Sequence, residues 1–469
     1  MTKCLVSGKF KVLHIGHLRL FETAANLADE LIVAIDNSDI SPDELNWRVA
    51  LLKNIESIHE VIEFSGNIEK LIEDIRPEYV VKGSEFSRAK NIEESTLAKY
   101  GGKLVFSSGN YFYSDSNSNS DLLGNIDHHL DFLARRNIDK NKLNSTVNDF
   151  SKLKICVIGD LIIDEFIECR PIGMSQESPS IVVAPLKANR FVGGAGILAK
   201  HCSELGAETT FISLIGDDEQ GEWARKNLKE PSLKLVLQTE RSRHSTLKTR
   251  YTSSQQVLFR LNKFNNEFIS EAQELEILNY IRENCVDFDL FIFSDFSYGL
   301  LTPFLVNQII DFCKLNQIKI AADSQSSSQV GDISKFVGVD LLTPTEREAR
   351  IELKDEISGL VVLAEKLRKK LDCKNLILKL GADGVLIHGL NAKNGEFLET
   401  DQVKALNSNP QNVSGAGDSL LAGAALSLAC NDDIYLSSYV GSMVAAIHVA
   451  KSGNLPVEKN ELIKLIDQI

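Results

Sequence analysis

The chain has 469 residues, 43% of them hydrophobic and 25% charged, and a formal net charge of −14. That length predicts two domains rather than one core. The acidic balance excludes a protein whose main business is coating nucleic acid or an anionic membrane, and leaves open a small-molecule site with its own local cationic pocket. Eight cysteines are scattered without a C-x-x-C pair, so reduced, mostly buried thiols are expected rather than a zinc site or a disulfide framework. The first residues, Met-Thr-Lys-Cys-Leu-Val, lead straight into a strand-like run, with no signal peptide and no apolar stretch long enough to span a bilayer. A cytoplasmic enzyme is expected.

In chain order, Lys3 to Gly8 reads as a buried strand, His17 to Ala28 as a helix and Glu30 to Asp36 as a second strand. A helical segment follows around Arg48 to Ser57, then a helix over Glu69 to Ile75, a third strand at Tyr79–Val81 and a fourth at Leu104–Phe106. This alternation implies a parallel sheet covered on both faces. The Ser- and Asn-rich stretch from Tyr113 to Ser120 is a loop, and polar sequence from Arg135 to Lys152 marks the junction. The expected division is a domain over 1–133, a linker over 134–152 and a second domain over 153–469. A new strand starts at Lys154, and a second, longer alternation runs from it to the C-terminus.

Gly8-Lys9-Phe10-Lys11 ends the first strand, and His14-Ile15-Gly16-His17 opens the first helix. A helix N-terminus offers free N–H groups and the positive end of a dipole. Glycine lets phosphate approach, and two imidazoles can donate to phosphate oxygens as charge builds on them. The bland alternative is that both histidines merely cap a helix. The stretch resembles the cytidylyltransferase-like nucleotidyltransferases, with their signature G-x-F-D-x-x-H-x-G-H, over about residues 1 to 130.

The resemblance implies a Rossmann-like domain in which His14 and His17 bind the triphosphate and stabilise the transition state. Gly8, Lys9, Phe10 and Lys11 line the nucleotide, Arg48 contacts phosphates, and Lys82 in Val81–Phe86 lies near the nucleotide. Lys11 stands where the family has Asp. The segment from Asn37 to Trp47 contains no lysine, where relatives carry a phosphate-binding one. Lys9 and Lys11 are candidates to supply that charge. The nearest thing to the family's late I-S-T-T-like element is Ser116 to Leu123. H-I-G-H is also similar to class I aminoacyl-tRNA synthetases, but no K-M-S-K-S element accompanies it.

Near the other end, Ser414-Gly415-Ala416-Gly417-Asp418 precedes an apolar helix, Ser419 to Cys430. Small residues and exposed N–H groups there form an anion hole for a transferring phosphoryl group. Asp418 is placed to take a proton from an attacking hydroxyl. Without support, this would be only a glycine-rich helix start with an acidic residue favoured by the dipole.

The region from about residue 153 to 460 resembles the ribokinase-like (PfkB family) sugar kinases, an α/β sandwich, with landmarks in the family's order. Gly159-Asp160 with Asp164, Gly193-Gly194, Ser294-Asp295-Phe296, Ala322-Asp323, Thr345-Glu346-Arg347-Glu348, Lys379-Leu380-Gly381 and Gly384 precede Asp418. The resemblance implies that Asp418 is the base, with Gly415, Ala416 and Gly417 as the anion hole. It places Asp160, Asp164, Gly193, Gly194, Asp295 and Arg260 on the sugar side and Lys379, Gly381 and Gly384 on the ATP side. Glu348, with Thr345 in place of the family's Asn, acts on Mg2+ through water. Asn412 replaces an Asp, which bears on contacts to a monovalent cation such as K+.

Within that family, Gln255–Leu261 and Asn412–Asp418 are most similar to the kinase of bifunctional heptose 7-phosphate kinase/heptose 1-phosphate nucleotidyltransferases, with the two domains in reversed order. Tyr298 and Gln325 stand where those kinases tend to have lysines. Lys248, Arg250 and Arg260 are either anion ligands or a solvated strand face. His448, in an apolar helix, is expected to be a satisfied, half-buried histidine.

The resemblance as a whole implies a bifunctional enzyme. It would phosphorylate a sugar or sugar phosphate with ATP and transfer a nucleotidyl group from CTP or ATP to a sugar phosphate. The product would be a heptose-like nucleotide sugar for lipopolysaccharide or capsule. Small-molecule partners, no nucleic acid, no membrane and a homodimer are expected. The alternatives are a different CDP-linked product, or an N-terminal domain that binds nucleotide without catalysis.

Overall fold

Short aliphatic runs separated by amphipathic stretches form the first unit. The computed structural model describes every residue except 1, 11–14, 39–41, 84–90, 108–125, 176, 179, 254–255, 326–330, 391–397 and 432. Strands β1 (Lys3–Gly8), β2 (Glu30–Asp36), β3 (Glu60–Phe64), β4 (Tyr79–Gly83) and β5 (Lys103–Ser107) alternate with helices α1 (Ile15–Ala25), α2 (Pro42–Lys53), α3 (Ile68–Ile75) and α4 (Ile92–Ala98). They pair in parallel in the order β3-β2-β1-β4-β5.

Both faces of this sheet are covered, so its central strands read as unbroken apolar runs. Cys4, Val6, Val33 and Ile35 pack with Phe21 of α1 on one face, and Leu5, Ile32, Ala34 and Val80 pack with Ile72 of α3 on the other. The strand order reverses at β1, between β2 and β4. The carboxyl ends of strands at such a reversal border a natural ligand crevice. The strand β3 is an addition to the expected elements. It is an edge strand of half-exposed sequence, Glu-Val-Ile-Glu-Phe, too polar to stand out. The helix around Arg48 begins earlier than expected, at Pro42, a residue suited to a helix start.

The chain divides into two compact units, whose main segments are Met1–Ser118 and Asn119–Lys354 with Ala364–Ile469. The second begins with α5 (Ile126–Arg136) and α6 (Lys140–Asp149). The stretch 134–152, expected as a linker, is therefore helical and part of this unit. Phe132, Ile138, Leu143, Val147 and Phe150 are buried in its core. Phe132 stacks on Tyr439 at 5.9 Å, and the Arg136 guanidinium lies 3.6 Å from the Tyr435 ring centroid. The polar character of these residues in the sequence is the outer face of two amphipathic helices.

There follow β6 (Lys154–Gly159), β7 (Leu161–Met174), β8 (Ile181–Gly194), α7 (Ala195–Glu204), β9 (Glu208–Gly216), α8 (Glu219–Asn227), β10 (Leu233–Glu240), β11 (Thr246–Ser253) and β12 (Gln256–Lys263). After these come α9 (Glu271–Asn284), β13 (Leu290–Asp295), α10 (Pro303–Leu315), β14 (Lys319–Ser324), β15 (Leu341–Leu342), α11 (Glu346–Leu353), α12 (Leu360–Leu371) and β16 (Asn375–Lys379). The chain closes with β17 (Val385–Leu390), β18 (Leu398–Val403), α13 (Ala416–Asn431), α14 (Ile434–Val449) and α15 (Lys459–Ile466).

Among the described residues the main sheet runs β10-β9-β6-β13-β14-β15-β16-β17-β18, parallel up to β16 and antiparallel beyond. Helices α13 and α14 are apolar nearly all round and correspondingly buried. A separate sheet, β12-β11-β7-β8, is built on the long β7–β8 hairpin. The chain passes from one sheet to the other at Asp160. Strand ends therefore bring Asp160, Asp295, Asp323 and Lys379, far apart in sequence, to the carboxyl edge of one sheet.

Candidate active sites

In the second unit the edge of the main sheet meets the start of α13. Gly415 has φ +82°, a conformation that only glycine adopts cheaply, and it turns the chain into the helix. Asp418 follows in the first turn and is buried. Its Oδ1 accepts a hydrogen bond from Gln325 Nε2 at 2.7 Å. Burial and the nearby Asp323 charge push its carboxyl up to about 7, against the pull of Lys379 and Gln325. Burial likewise pushes Asp323 up to about 6, with Lys379 opposing through a 2.6 Å ion pair. Burial works against the Lys379 charge, but Asp323, Glu348 and Asp418 together outweigh it and raise its pKa. One ammonium thus serves three carboxylates beneath the glycine turn, where a Cβ on Gly417 would stand 3.3 Å from Lys379 Nζ.

Thr345 and Glu348 form a reciprocal cap on α11. The Thr345 hydroxyl accepts from the Glu348 N–H at 3.2 Å, and Glu348 Oε2 accepts from the Thr345 N–H at 2.7 Å. The Thr345 side chain is thus engaged in the cap. Asp323 Oδ1, by contrast, is buried with no hydrogen-bond partner among the described residues. Gly381 and Gly384, with φ +63° and +84°, make the tight turn after Lys379.

On the sugar side, Asp160 Oδ2 accepts from the N–H groups of Phe296 and Tyr298 at 2.8 and 3.2 Å, which leaves Oδ1 for another partner. Burial, with the Asp295 charge second, pushes Asp160 up to about 6. Asp295 is held by Lys335 at 2.9 Å and by the Ser324 hydroxyl at 2.8 Å, so it braces the strand ends. Asp164 pairs with Arg250 at 2.5 Å, close against Gly193. Lys248 lies 5.3 Å from the ring centroids of both Phe296 and Tyr298. Arg260 is exposed on β12, directly across from Arg250. Gly194, with φ +57°, starts α7 against the Asp160 carbonyl.

In the first unit, Gly8, Lys9 and Phe10 leave β1 at the strand-order reversal. Phe10, at φ +42°, turns its ring back under Gly8 and packs edge-on against His17 at 5.2 Å. His17 thereby receives a fixed orientation near the start of α1. Arg48 of α2 is buried and donates from Nη1 to the Lys9 carbonyl at 2.8 Å, which clamps the loop after β1. Lys82 pairs with the buried Glu93 at 2.8 Å. His14, Lys11, Ser84–Phe86 and Ser116–Leu123 lie outside the described residues.

Lys335 and Glu93 contact these groups and were not singled out from the sequence, whereas Asp323 entered only as a landmark and Gln325 only as a position where the related kinases tend to have lysine.

The second unit's sheet, its β7–β8 and β11–β12 cover and its glycine-led helix start define a ribokinase-like carbohydrate kinase fold. Phosphofructokinase-2 from Escherichia coli shares it with a TM-score of 0.56 at 16% identity, covering 67% of this chain and 99% of that chain. Arabidopsis thaliana ribokinase shares it with a TM-score of 0.52 at 15% identity, covering 67% and 98%. Residues 152–459 match the pfkB family carbohydrate kinases, and residues 5–100 match the cytidylyltransferase-like family. The chain belongs to the pfkB family of carbohydrate kinases.

It is similar to the Bifunctional protein HldE of Campylobacter jejuni, 30% identical over 315 residues that cover 66% of this chain and 64% of that one. It is equally similar to the Bifunctional protein HldE of Trichlorobacter lovleyi, 30% identical over 337 residues that cover 70% and 66%. The chain thus spans just under two thirds of the length of these relatives. Among the described residues no helix is long and apolar enough to cross a membrane.

Proposed function

We propose that this chain carries out two successive transfers. The second unit phosphorylates a hydroxyl of a sugar or sugar phosphate with ATP, and the first transfers a nucleotidyl group from CTP or ATP to a sugar phosphate. The product is a heptose-like nucleotide sugar for lipopolysaccharide or capsule, made in the cytoplasm. The observation that carries the kinase reading is Asp418. It is a buried carboxyl poised at about 7, at a glycine-led helix start, in hydrogen-bond contact with Gln325. A general base works best with a pKa near the operating pH.

Asp418 takes the proton as the acceptor oxygen bonds to the γ-phosphorus and the bond to the β-phosphate oxygen breaks, releasing ADP. Gly415, Ala416 and Gly417 stabilise the charge on the transferring group. Asp160, Asp164, Gly193, Gly194 and Arg260 hold the acceptor, with Asp295 bracing them. Lys379, Gly381 and Gly384 lie toward ATP. Mg2+ fits the chemistry of the site. Glu348 and the unpartnered Asp323 Oδ1 would hold it, chiefly through water as this ion prefers, while Thr345 keeps its cap. When bound, the ion neutralises charge on the phosphates. The Escherichia coli phosphofructokinase-2 structure is described as a complex with potassium, which raises the question of a monovalent cation in this chain as well.

In the first unit, His14 and His17 stabilise the α-phosphate as a sugar phosphate displaces pyrophosphate. Lys9 and Lys11 supply positive charge, with Gly8 and Phe10 shaping the turn, Arg48 holding it and Lys82 nearby. A homodimer is supported by Val257, Phe259 and Leu261, which alternate along β12 at 45%, 50% and 58% exposure. A second reading, an N-terminal unit that binds nucleotide without catalysis, is favoured by Arg48 and Lys82 both being engaged by protein partners.

The test is a panel of sugars and sugar phosphates assayed for ADP formation with ATP, and for pyrophosphate release with CTP and with ATP. The proposal expects both products. ADP without pyrophosphate across the panel would establish the second reading, and no ADP with any acceptor would overturn the kinase assignment.

A further inference from the structure

Under the start of α13, three buried side-chain oxygens stand in a row across adjacent strands. Ser294 lies beside Asp323 in the register of β13 with β14. The β14–β15 ladder pairs Ala321 with Leu341 and Ala322 with Leu342. The Thr343 N–H continues it by donating to the Ala322 carbonyl at 3.2 Å, which sets Thr343 beside Asp323. Two residues earlier on each strand, Ile292, Ala321 and Leu341 pack in one core with Leu420 and Leu421 of α13. Side chains along a strand return to the same face every second residue. Ser294, Asp323 and Thr343 therefore share the face covered by the helix that carries Asp418.

Each of them presents an unmet atom there. Ser294 Oγ, Asp323 Oδ1 and Thr343 Oγ1 are all buried without a hydrogen-bond partner among the described residues. The groups around them are engaged. Asp323 Oδ2 takes Lys379 Nζ at 2.6 Å, and the next carboxylate along the edge, Asp295, takes Lys335 and the Ser324 hydroxyl. A buried polar atom left unmet is costly, and such atoms are rare in folded proteins.

The chemistry of the row selects its ligand. A serine and a threonine hydroxyl each donate and accept, and a carboxylate oxygen accepts. An anion would be repelled by Asp323, and an apolar ligand would leave all the oxygens unmet. Water, which is held in protein interiors by about two to four polar partners, meets every one of them. The hydroxyls donate to it, and it donates to Asp323 Oδ1. The carboxylate is then gripped on both oxygens, by Lys379 on one side and by water on the other.

We infer that Ser294 and Thr343 are positioning residues that hold ordered water against Asp323 Oδ1, fixing this carboxylate between the water and Lys379 in the orientation that receives a hydrated divalent cation. The effect on the cation rests on the kinase reading; the water row itself does not.

The full-length chain is melted in a calorimeter in the presence of EDTA, and Mn2+ is titrated in the presence of ATP and followed by electron paramagnetic resonance. Valine has the shape of threonine without its hydroxyl. Where Thr343 Oγ1 holds water, Thr343→Val strands that water and the Asp323 oxygen, and a melting transition is expected to fall by about 3 °C. Were the hydroxyl idle, the same change would remove an unmet polar atom, and the melting temperature would hold or rise. Mn2+ affinity is expected to weaken about tenfold in Thr343→Val and to stay within about twofold of the parent in Thr343→Ser, which keeps the hydroxyl. Should Thr343→Val fail to fold, Ser294→Ala carries the same test, with the same directions expected. A crystal structure of the parent is expected to show water within hydrogen-bond reach of Asp323 Oδ1 and at least one of the hydroxyls. A variant that melts at or above the parent, a folded variant with parental Mn2+ affinity, or a parent crystal with no such water overturns the proposal. The melting measurement needs neither nucleotide nor acceptor. A chain that phosphorylates nothing, while Thr343→Val still melts lower, would sink the kinase reading and leave the water row standing.

Discussion

Both sites lie at the carboxyl ends of parallel strands beside a helix start, yet their charges are arranged in opposite ways. In the second unit, buried carboxylates are held at raised pKa values around a single lysine, with Asp418 at about 7 and Asp323 at about 6. In the first, the described cations are engaged by the protein itself, Arg48 by the Lys9 carbonyl and Lys82 by Glu93. The difference fits the two transfers proposed. Activating a hydroxyl requires a proton acceptor whose ionisation is tuned by burial. A phosphate oxygen attacking an α-phosphate is already anionic. A site for that transfer would need only orientation and positive charge, which a helix N-terminus and histidines can provide.

The comparison breaks most severely at Asp418. Asp418→Asn is expected to lower phosphoryl transfer by about 10³-fold, measured as ADP formation in single turnover. The same substitution should stabilise the fold at alkaline pH. A carboxyl raised from 3.8 to about 7 by folding favours the native state while protonated, and that contribution is lost as pH rises through about 7. The shift corresponds to at most ~4 kcal/mol, so the variant should melt above the parent at pH 8 and level with it near pH 4. Equal melting at both values would show that Asp418 is not buried as described. In the parent, kcat/KM for the kinase reaction should climb through the same region near 7.

At the other site the corresponding change is His17→Ala. Pyrophosphate release should fall about 10²-fold, because a donor aimed at developing charge is lost, while ADP formation stays within about twofold. Pyrophosphate release at the parental rate would place nucleotidyl transfer away from this helix start.

What could be read from sequence divides along the same line. Strands β1 and β2 begin and end where their apolar runs do, because both faces of the sheet are buried. The edge strand β3 and the helix over 140–149 escaped notice because each shows a polar face to solvent. The separate β12-β11-β7-β8 sheet could not be told from the main one, since alternation reports a strand but not its partner. Contiguous features of the sites, Gly415 to Asp418 and Gly8 to Phe10, were legible because backbone geometry demands those residue types in a row. The contact of Gln325 with Asp418 was not, because they lie 93 residues apart and only the placement of β14 beside α13 joins them. His448, expected as a satisfied, half-buried histidine, is fully buried. The carbonyls beside its ring, those of Ser414 and Leu455, depend on backbone direction, which no sequence pattern records.

Gln325 offers an intermediate test. Its amide favours the ionised form of Asp418, so Gln325→Leu should raise the carboxyl further. The midpoint of the kinase pH profile is expected to move to higher pH, with activity at neutral pH down about tenfold and recovering as pH rises. A uniform loss at every pH would assign Gln325 to substrate contact instead.

The smallest effect is expected for the pair that decides where the N-terminal site finds its positive charge. The segment from Asn37 to Trp47 holds no lysine, and the Arg48 guanidinium clamps the loop after β1. Lys9 and Lys11 are the lysines proposed to meet the triphosphate there. An exposed ammonium–phosphate contact contributes about 1 kcal/mol. Lys9→Ala with Lys11→Ala should raise KM for the nucleotide about fivefold and leave kcat nearly unchanged, the pattern of binding lost equally from ground and transition states. A fall in kcat at constant KM would instead show the lysines acting on the charge that develops during transfer. An unchanged KM and kcat would leave the helix N-terminus and its histidines as the whole of the anion site, and the two sites would then differ even more in how they are built.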